Sequence, residues 1–298
     1  MCLSQVQTFG RRAYLILRES TPAVFPLAAR RSPLNRGLLD RVQLVPDWLP
    51  RGKLVTLDGD PGLGKSTLLL DIAARVSSHG VCFTGKQGAT GNVVLISAED
   101  NAEDTIRPRL EAAGANLDRI TEITHVTIGG KDRPIELPAD IDLIEAIVAE
   151  NDARLLIIEP LAAFLAGADA NKDQDIRRVL YRLSKVAERR DCTTVAMRHL
   201  NKSPGGKAIY RGNMSIGVIG HARLALLVGE DPDDERYRIL AMSKINCAAK
   251  QASLRFALEP VPELDVCKIA WLGRRRTAPT SWSAASAARS RRSWQRRS

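Results

Sequence analysis

Residues 53–76 read KLVTLDGDPGLGKSTLLLDIAARV, an apolar run closed by Asp58, a glycine-rich turn, and then a run of helix-forming residues. Within it Gly59, Gly64, Lys65 and Ser66 satisfy the spacing G-x-x-x-x-G-K-[ST]. A strand that ends at such a turn and reopens as a helix aims backbone N–H groups and the positive end of the helix dipole at one point, where a polyphosphate fits. Gly59, Gly62 and Gly64 allow close backbone approach, Lys65 reaches the β and γ phosphates, and Ser66 is placed to ligate magnesium. Asp60, Pro61, Leu63 and Thr67 complete the loop.

Beyond this segment the chain keeps alternating. Strand-like NVVLIS (92–97) follows the first helix, then helix-like TIRPRLEAAG, strand-like ITHVTI, a helix near 139–150, strand-like RLLIIE (154–159), a long helix, and TTVAMRHL (193–200). In the long helix Ile176, Val179, Leu180, Leu183, Val186 and Ala187 recur at spacings of three and four, which predicts one buried stripe. After Gly220 the runs RLALLV, YRILAMSK, SLRFAL and VCKIAWL read as closely spaced strands. The pattern predicts an α/β fold, a mainly parallel sheet flanked by helices with antiparallel strands added at its C-terminal end.

The chain has 298 residues, 44% of them hydrophobic and 26% charged, enough for a buried core and too apolar for disorder throughout. Its formal charge of +10 divides unevenly. Residues 1–50 carry 7 Lys+Arg against 3 Asp+Glu, residues 51–273 carry 29 against 31, and residues 274–298 carry 8 against none. The central part is nearly neutral, so net charge says nothing about what it binds. Residues 1–38 form a poorly defined segment, 39–273 the folded domain, and 274–298 a basic tail expected to be disordered. Its Arg/Ser/Ala/Trp bias is that of GC-rich DNA read in another frame. The five cysteines form no C-x-x-C pair, and no run is long and apolar enough for a membrane span, which predicts a cytoplasmic protein with reduced thiols.

Hydrolysis of a bound nucleotide needs a carboxylate for the attacking water, a second for the magnesium shell, and a sensor of the γ-phosphate. Each has a candidate at a strand end, where a parallel sheet places its ligand chemistry. Glu99 follows NVVLISA and is assigned to the water, while Asp100 reads as the cap of the next helix. Glu159 ends RLLIIE and His199 ends TTVAMRH, giving the metal carboxylate and the sensor. Glu159 is one methylene longer than an aspartate, a displacement large enough to slow chemistry while sparing binding.

Together GDPGLGKST (59–67), VVLISAEDNAEDTIRPRL (93–110), LLIIEPLAAFL (155–165), RHLNKSPGGKAIYRG (198–212), GHARLALLVGEDPDD (220–234) and SKIN (243–246) resemble the RecA-like P-loop ATPases. The resemblance is specifically to AAA-family ATPases related to the RepA-type plasmid replicative helicases. It implies a RecA-like P-loop core, ATP and Mg2+ as cofactors, a homo-oligomeric hexameric ring with ATP between subunits, and DNA-associated motor activity in replication or recombination. It further implies catalytic roles for Lys65, Glu99 and His199, a finger at Arg223 reaching the neighbour's γ-phosphate, and a second trans-acting cation at Lys244. The acid-free stretch NKSPGGKAIYR (201–211) corresponds to a loop that grips nucleic-acid backbone, which assigns single-stranded DNA contact to Lys202, Lys207 and Arg211.

Three departures qualify the resemblance: Glu159 replaces the expected aspartate, Gly212-Asn213-Met214 occupies a glycine-rich turn, and similarity stops after Gly273. Asn246 also stands where relatives often carry an arginine. An ATP-dependent switch without unwinding activity, or a degenerate copy with weak hydrolysis, fits the same residues.

Overall fold

The computed structural model describes residues 2–8, 12–17, 43–128, 131–165, 173–200, 222–246 and 249–275. The strand β5 (Leu54–Gly59), buried along its whole length, lies inside a 13-stranded sheet. Around it, β12 (Leu224–Glu230), β5, β11 (Thr193–His199), β10 (Ala153–Glu159), β6 (Asn92–Ser97) and β7 (Ile120–Glu122) run parallel in that order. Beyond β12, the strands β13 (Arg238–Ile245), β14 (Ser253–Val261) and β15 (Val266–Arg275) add on antiparallel. At the far edge β1 (Cys2–Thr8) pairs antiparallel with β2 (Arg12–Leu17), β7 and β8 (Val126–Ile128), and β8 pairs with β9 (Lys131–Arg133). The short strands β3 (Gln43–Val45) and β4 (Leu49–Pro50) pair separately.

Side-chain alternation along the central strands builds two cores. Val55, Leu57, Leu155, Ile157, Val195 and Met197 face α1 (Lys65–Ser77), whereas Leu54, Leu156, Ile158 and Ala196 face α3 (Ile141–Glu150) and α4 (Asp173–Arg190). The expected stripe of α4 is buried, every one of its six members at 0% exposure, and Ile176, Val179, Leu180, Leu183 and Val186 belong to the second core. This is the mainly parallel, helix-flanked sheet with antiparallel C-terminal strands that the sequence predicts.

Two local differences have physical causes. ITHVTI is divided rather than one strand: after Ile123 N donates to Leu95 O at 2.9 Å, the chain leaves β6 and re-enters as β8, antiparallel to β9. The helix-like stretch after β6 begins as a π-helical turn (Ala102–Ile106) and becomes α2 only at Arg107–Ala112. Asn101, not Asp100, caps it, its Oδ1 accepting from Glu103 N at 2.9 Å. Among the described residues no helix is long and apolar enough to cross a membrane.

Candidate functional site

The C-terminal ends of β5, β6, β10 and β11 deliver Gly59, Glu99, Glu159 and His199 to one edge of the sheet. Gly64 caps α1 at φ 77°, ψ 27°, the left-handed region where a side chain costs energy. Space forbids one as well, since an added Cβ would sit 2.8 Å from Leu258 Cδ2. At Gly59 an added Cβ would meet Val228 O at 2.8 Å. The loop therefore presses against β12 on one side and the β14–β15 hairpin on the other.

A cavity of about 860 Å3 opens above the loop, lined by Pro61, Gly62, Gly64, Lys65, Ser66 and Thr67 and, facing them, by Glu99, Asp100 and His199. That volume is in the range of small-molecule sites. Leu63 points instead into the α1 core, and Asp60 serves through its carbonyl, which accepts from Lys65 Nζ at 2.8 Å. Lys65 is 3% exposed, and burial lowers its pKa against the opposing pull of Asp60, Glu159, Glu99 and Asp58.

Glu159, at the end of β10, is buried at 3% exposure behind the lining residue Ser66. Burial pushes its carboxyl up to about 7; the Ser66 hydroxyl, which bonds to it, opposes the rise, and the nearby charges of Asp100 and Glu99 add to it. Its Oε1 has no hydrogen-bond partner. A hydroxyl and a buried carboxylate with an unused oxygen form the hard-oxygen donor pair that Mg2+ prefers. Glu159 and Ser66 thus meet despite the extra methylene. Glu99 and His199 also come together, Oε1 to Nε2 at 3.3 Å.

Arg109 had no place in the sequence reading, yet it lines the cavity and pairs with Asp100 at 2.6 Å. It stands on α2, directly after the π-helical turn. The hairpin residues Leu258, Pro260, Val261, Pro262, Asp265, Val266 and Cys267 were equally unforeseen in the cavity wall.

Arg223 and Lys244 lie elsewhere. Arg223 precedes β12, whose parallel pairing sets Leu224 beside Val55 and Val228 beside Gly59. It therefore sits at the opposite end of β5 from the loop, about 17 Å away at strand rise, with its N–H on Leu54 O. Lys244 is across from Ala225, and burial together with the Arg223 charge lowers its pKa. Neither cation lines the cavity of its own chain. Lys202, Lys207 and Arg211, with Gly212-Asn213-Met214, lie outside the described residues.

Comparison with known proteins agrees with this architecture: the family model described as AAA domain matches residues 30–205, and the chain belongs to that family. Its fold is the RecA-like P-loop core, and membership implies ATPase chemistry. Among curated proteins, the DNA repair protein RadA of Chlamydia pneumoniae is 29% identical over 191 residues, covering 62% of this chain and 37% of the relative. RadA of Halalkalibacterium halodurans is 28% identical over 170 residues, 57% of this chain and 28% of the relative. RadA of Bacillus subtilis is 23% identical over 156 residues, 51% and 29%. The chain spans about a third of the length of these relatives or less.

Proposed function

We propose that the chain is a Mg2+-dependent, ATP-hydrolysing RecA-type ATPase that acts as a DNA-associated motor in homo-oligomeric form. The observation that carries the reading is the meeting of Ser66 with Glu159 and of Glu99 with His199 around the Lys65 loop. Lys65 and the backbone N–H groups at the start of α1 bind the phosphates. Glu99, half exposed at the cavity edge, orients the attacking water, and His199 holds that carboxylate in place. Ser66 and Glu159 would hold Mg2+, which would supply neutralisation of the phosphate charge. Asp100 restrains Arg109 beside the same space.

Arg223 and Lys244 lie outside the lining of their own cavity; their roles at a neighbour's cavity, and assembly into a hexameric ring, rest on the family resemblance. The RadA relatives support association with DNA, and the helicase-like reading rests on the RepA-type resemblance, with Lys202, Lys207 and Arg211 as strand contacts. A switch that binds ATP without turnover is the second reading. It is favoured by Glu159 standing where an aspartate is expected, one methylene longer beside Ser66.

ATP hydrolysis with and without single-stranded DNA tests the motor, using a chain ending at Arg275 because β15 runs that far. Stimulation that survives removal of residues 276–298 and disappears in Lys202/Lys207/Arg211 alanine variants is expected. Tight ATP binding with no turnover in either condition would favour the switch.

A further inference from the structure

The cavity has two chemically unlike ends. At one lie Lys65, Ser66, Glu99 and His199, where phosphates and water belong. At the other, the tip of the β14–β15 hairpin presents Leu258, Pro260, Val261, Pro262 and Val266, an apolar wall with one carboxylate, Asp265. A nucleotide whose γ-phosphate lay beside Glu99 and His199 would have this wall left for the remainder of the molecule, since both line the same cavity. Inorganic phosphates alone would leave it unused.

The wall is braced. Trp271 Nε1 donates to Asp71 Oδ2 on α1 at 2.9 Å, and the indole stacks on Phe83 with ring centroids 4.4 Å apart. Leu258 fills the space over Gly64 that a side chain would take. Two prolines restrict the tip backbone, and Asp265 closes the turn at φ 52°. An apolar surface held beside a carboxylate acceptor suits a planar base and the hydrogen-bond donors of a nucleoside.

We propose that the hairpin tip is the nucleoside-binding wall of this cavity, with Val261 and its neighbouring prolines packing on the base and Asp265 accepting hydrogen bonds from the nucleoside. The inference rests on the reading of the loop as an ATP site and assigns its specificity to residues some 200 positions further along the chain. Asp265 discriminates among nucleotides; Lys65 and Ser66 do not.

Affinities of wild type, Val261→Asn and Asp265→Gly for ATP, 2′-deoxy-ATP, inosine triphosphate and inorganic tripolyphosphate test it, glycine removing the acceptor while tolerating the φ of 52°. Wild type should bind ATP at least tenfold more tightly than tripolyphosphate, and each variant should lose most of that ratio, about tenfold, while holding tripolyphosphate as before. Asp265→Gly should also erase the preference over 2′-deoxy-ATP if the ribose is the donor, or over inosine triphosphate if the exocyclic amine is. A second readout needs no variant: alkylation of Cys267, followed by peptide mass spectrometry, should be slowed by ATP and not by tripolyphosphate. Tripolyphosphate binding with unchanged ratios in the variants, or equal protection by both ligands, would overturn the inference and leave the phosphate-loop reading standing. Failure of wild type to bind either ligand would overturn both.

Discussion

Removing one partner of the Asp58–Arg198 pair should destabilise the protein more than any other polar substitution near the site. The two residues are side by side in the β5–β11 register, one step before Gly59 and His199. Arg198 Nε and Nη2 donate to Asp58 Oδ1 and Oδ2 at 2.7 and 2.8 Å, with side-chain exposures of 1% and 4%. The remaining Nη1 already lacks a partner. Asp58→Asn therefore leaves a buried guanidinium without its counter-charge, a loss of about 3–5 kcal/mol. For a domain of this size that corresponds to roughly 6–20 °C in Tm. The Asp58→Val/Arg198→Met pair removes both charges and should recover most of the loss, because a well-packed apolar pair commonly replaces a buried ion pair without cost. Urea unfolding of the single and double variants, with ATP affinity measured alongside, gives the coupling energy. A loss below about 1 kcal/mol for Asp58→Asn, or a double variant as unstable as the sum of the singles, would refute the reasoning.

Gly64→Ala meets both a left-handed backbone and the Leu258 side chain; it should cost about 1–3 kcal/mol and weaken ATP binding more than tenfold, and wild-type affinity in a titration would contradict the loop geometry. Glu145 on α3 is bonded by Arg189 and Arg190 of α4, and the Arg189 bond above all, with both arginine charges, holds its carboxyl below the usual range despite burial. Its stabilising effect is therefore present above the ordinary carboxyl pKa and lost as pH falls. Glu145→Gln should be less stable by about 1 kcal/mol at pH 7, the solvated arginines limiting the effect. Wild type and variant should converge toward pH 3 in thermal melts, and a constant gap would remove the assignment. Arg223→Ala should lose turnover with ATP affinity retained, and mixing it with Lys65→Ala should restore part of the rate; no recovery on mixing would argue against a trans role.

What the sequence carried was local. The strand–loop–helix at 53–76 and the strand-end residues Glu99, Glu159 and His199 were legible because each sits beside its own periodic segment. The α4 stripe followed from spacing alone. Arg109 was not legible, since its position depends on a π-helical turn that ordinary helix periodicity does not announce. Nor was the Asp58–Arg198 pair, whose partners are 140 residues apart and meet only through the register of two parallel strands. The hairpin wall lies about 200 residues from the loop, and nothing in SLRFALEPVPELDVCKIAWL marks it as part of a cavity until Trp271 ties it to Asp71. Asp100 was misread because capping chemistry belongs equally to its neighbour Asn101.

Under the proposed function, Glu99 is needed for hydrolysis and not for ATP binding by the loop. Steady-state hydrolysis of Mg-ATP by wild type and Glu99→Gln, with ATP affinity determined for both, tests this most directly. The account predicts turnover by wild type and a fall of about a hundredfold or more in the variant, with affinity kept. Equal rates in the two proteins, or loss of ATP binding along with activity, would contradict it.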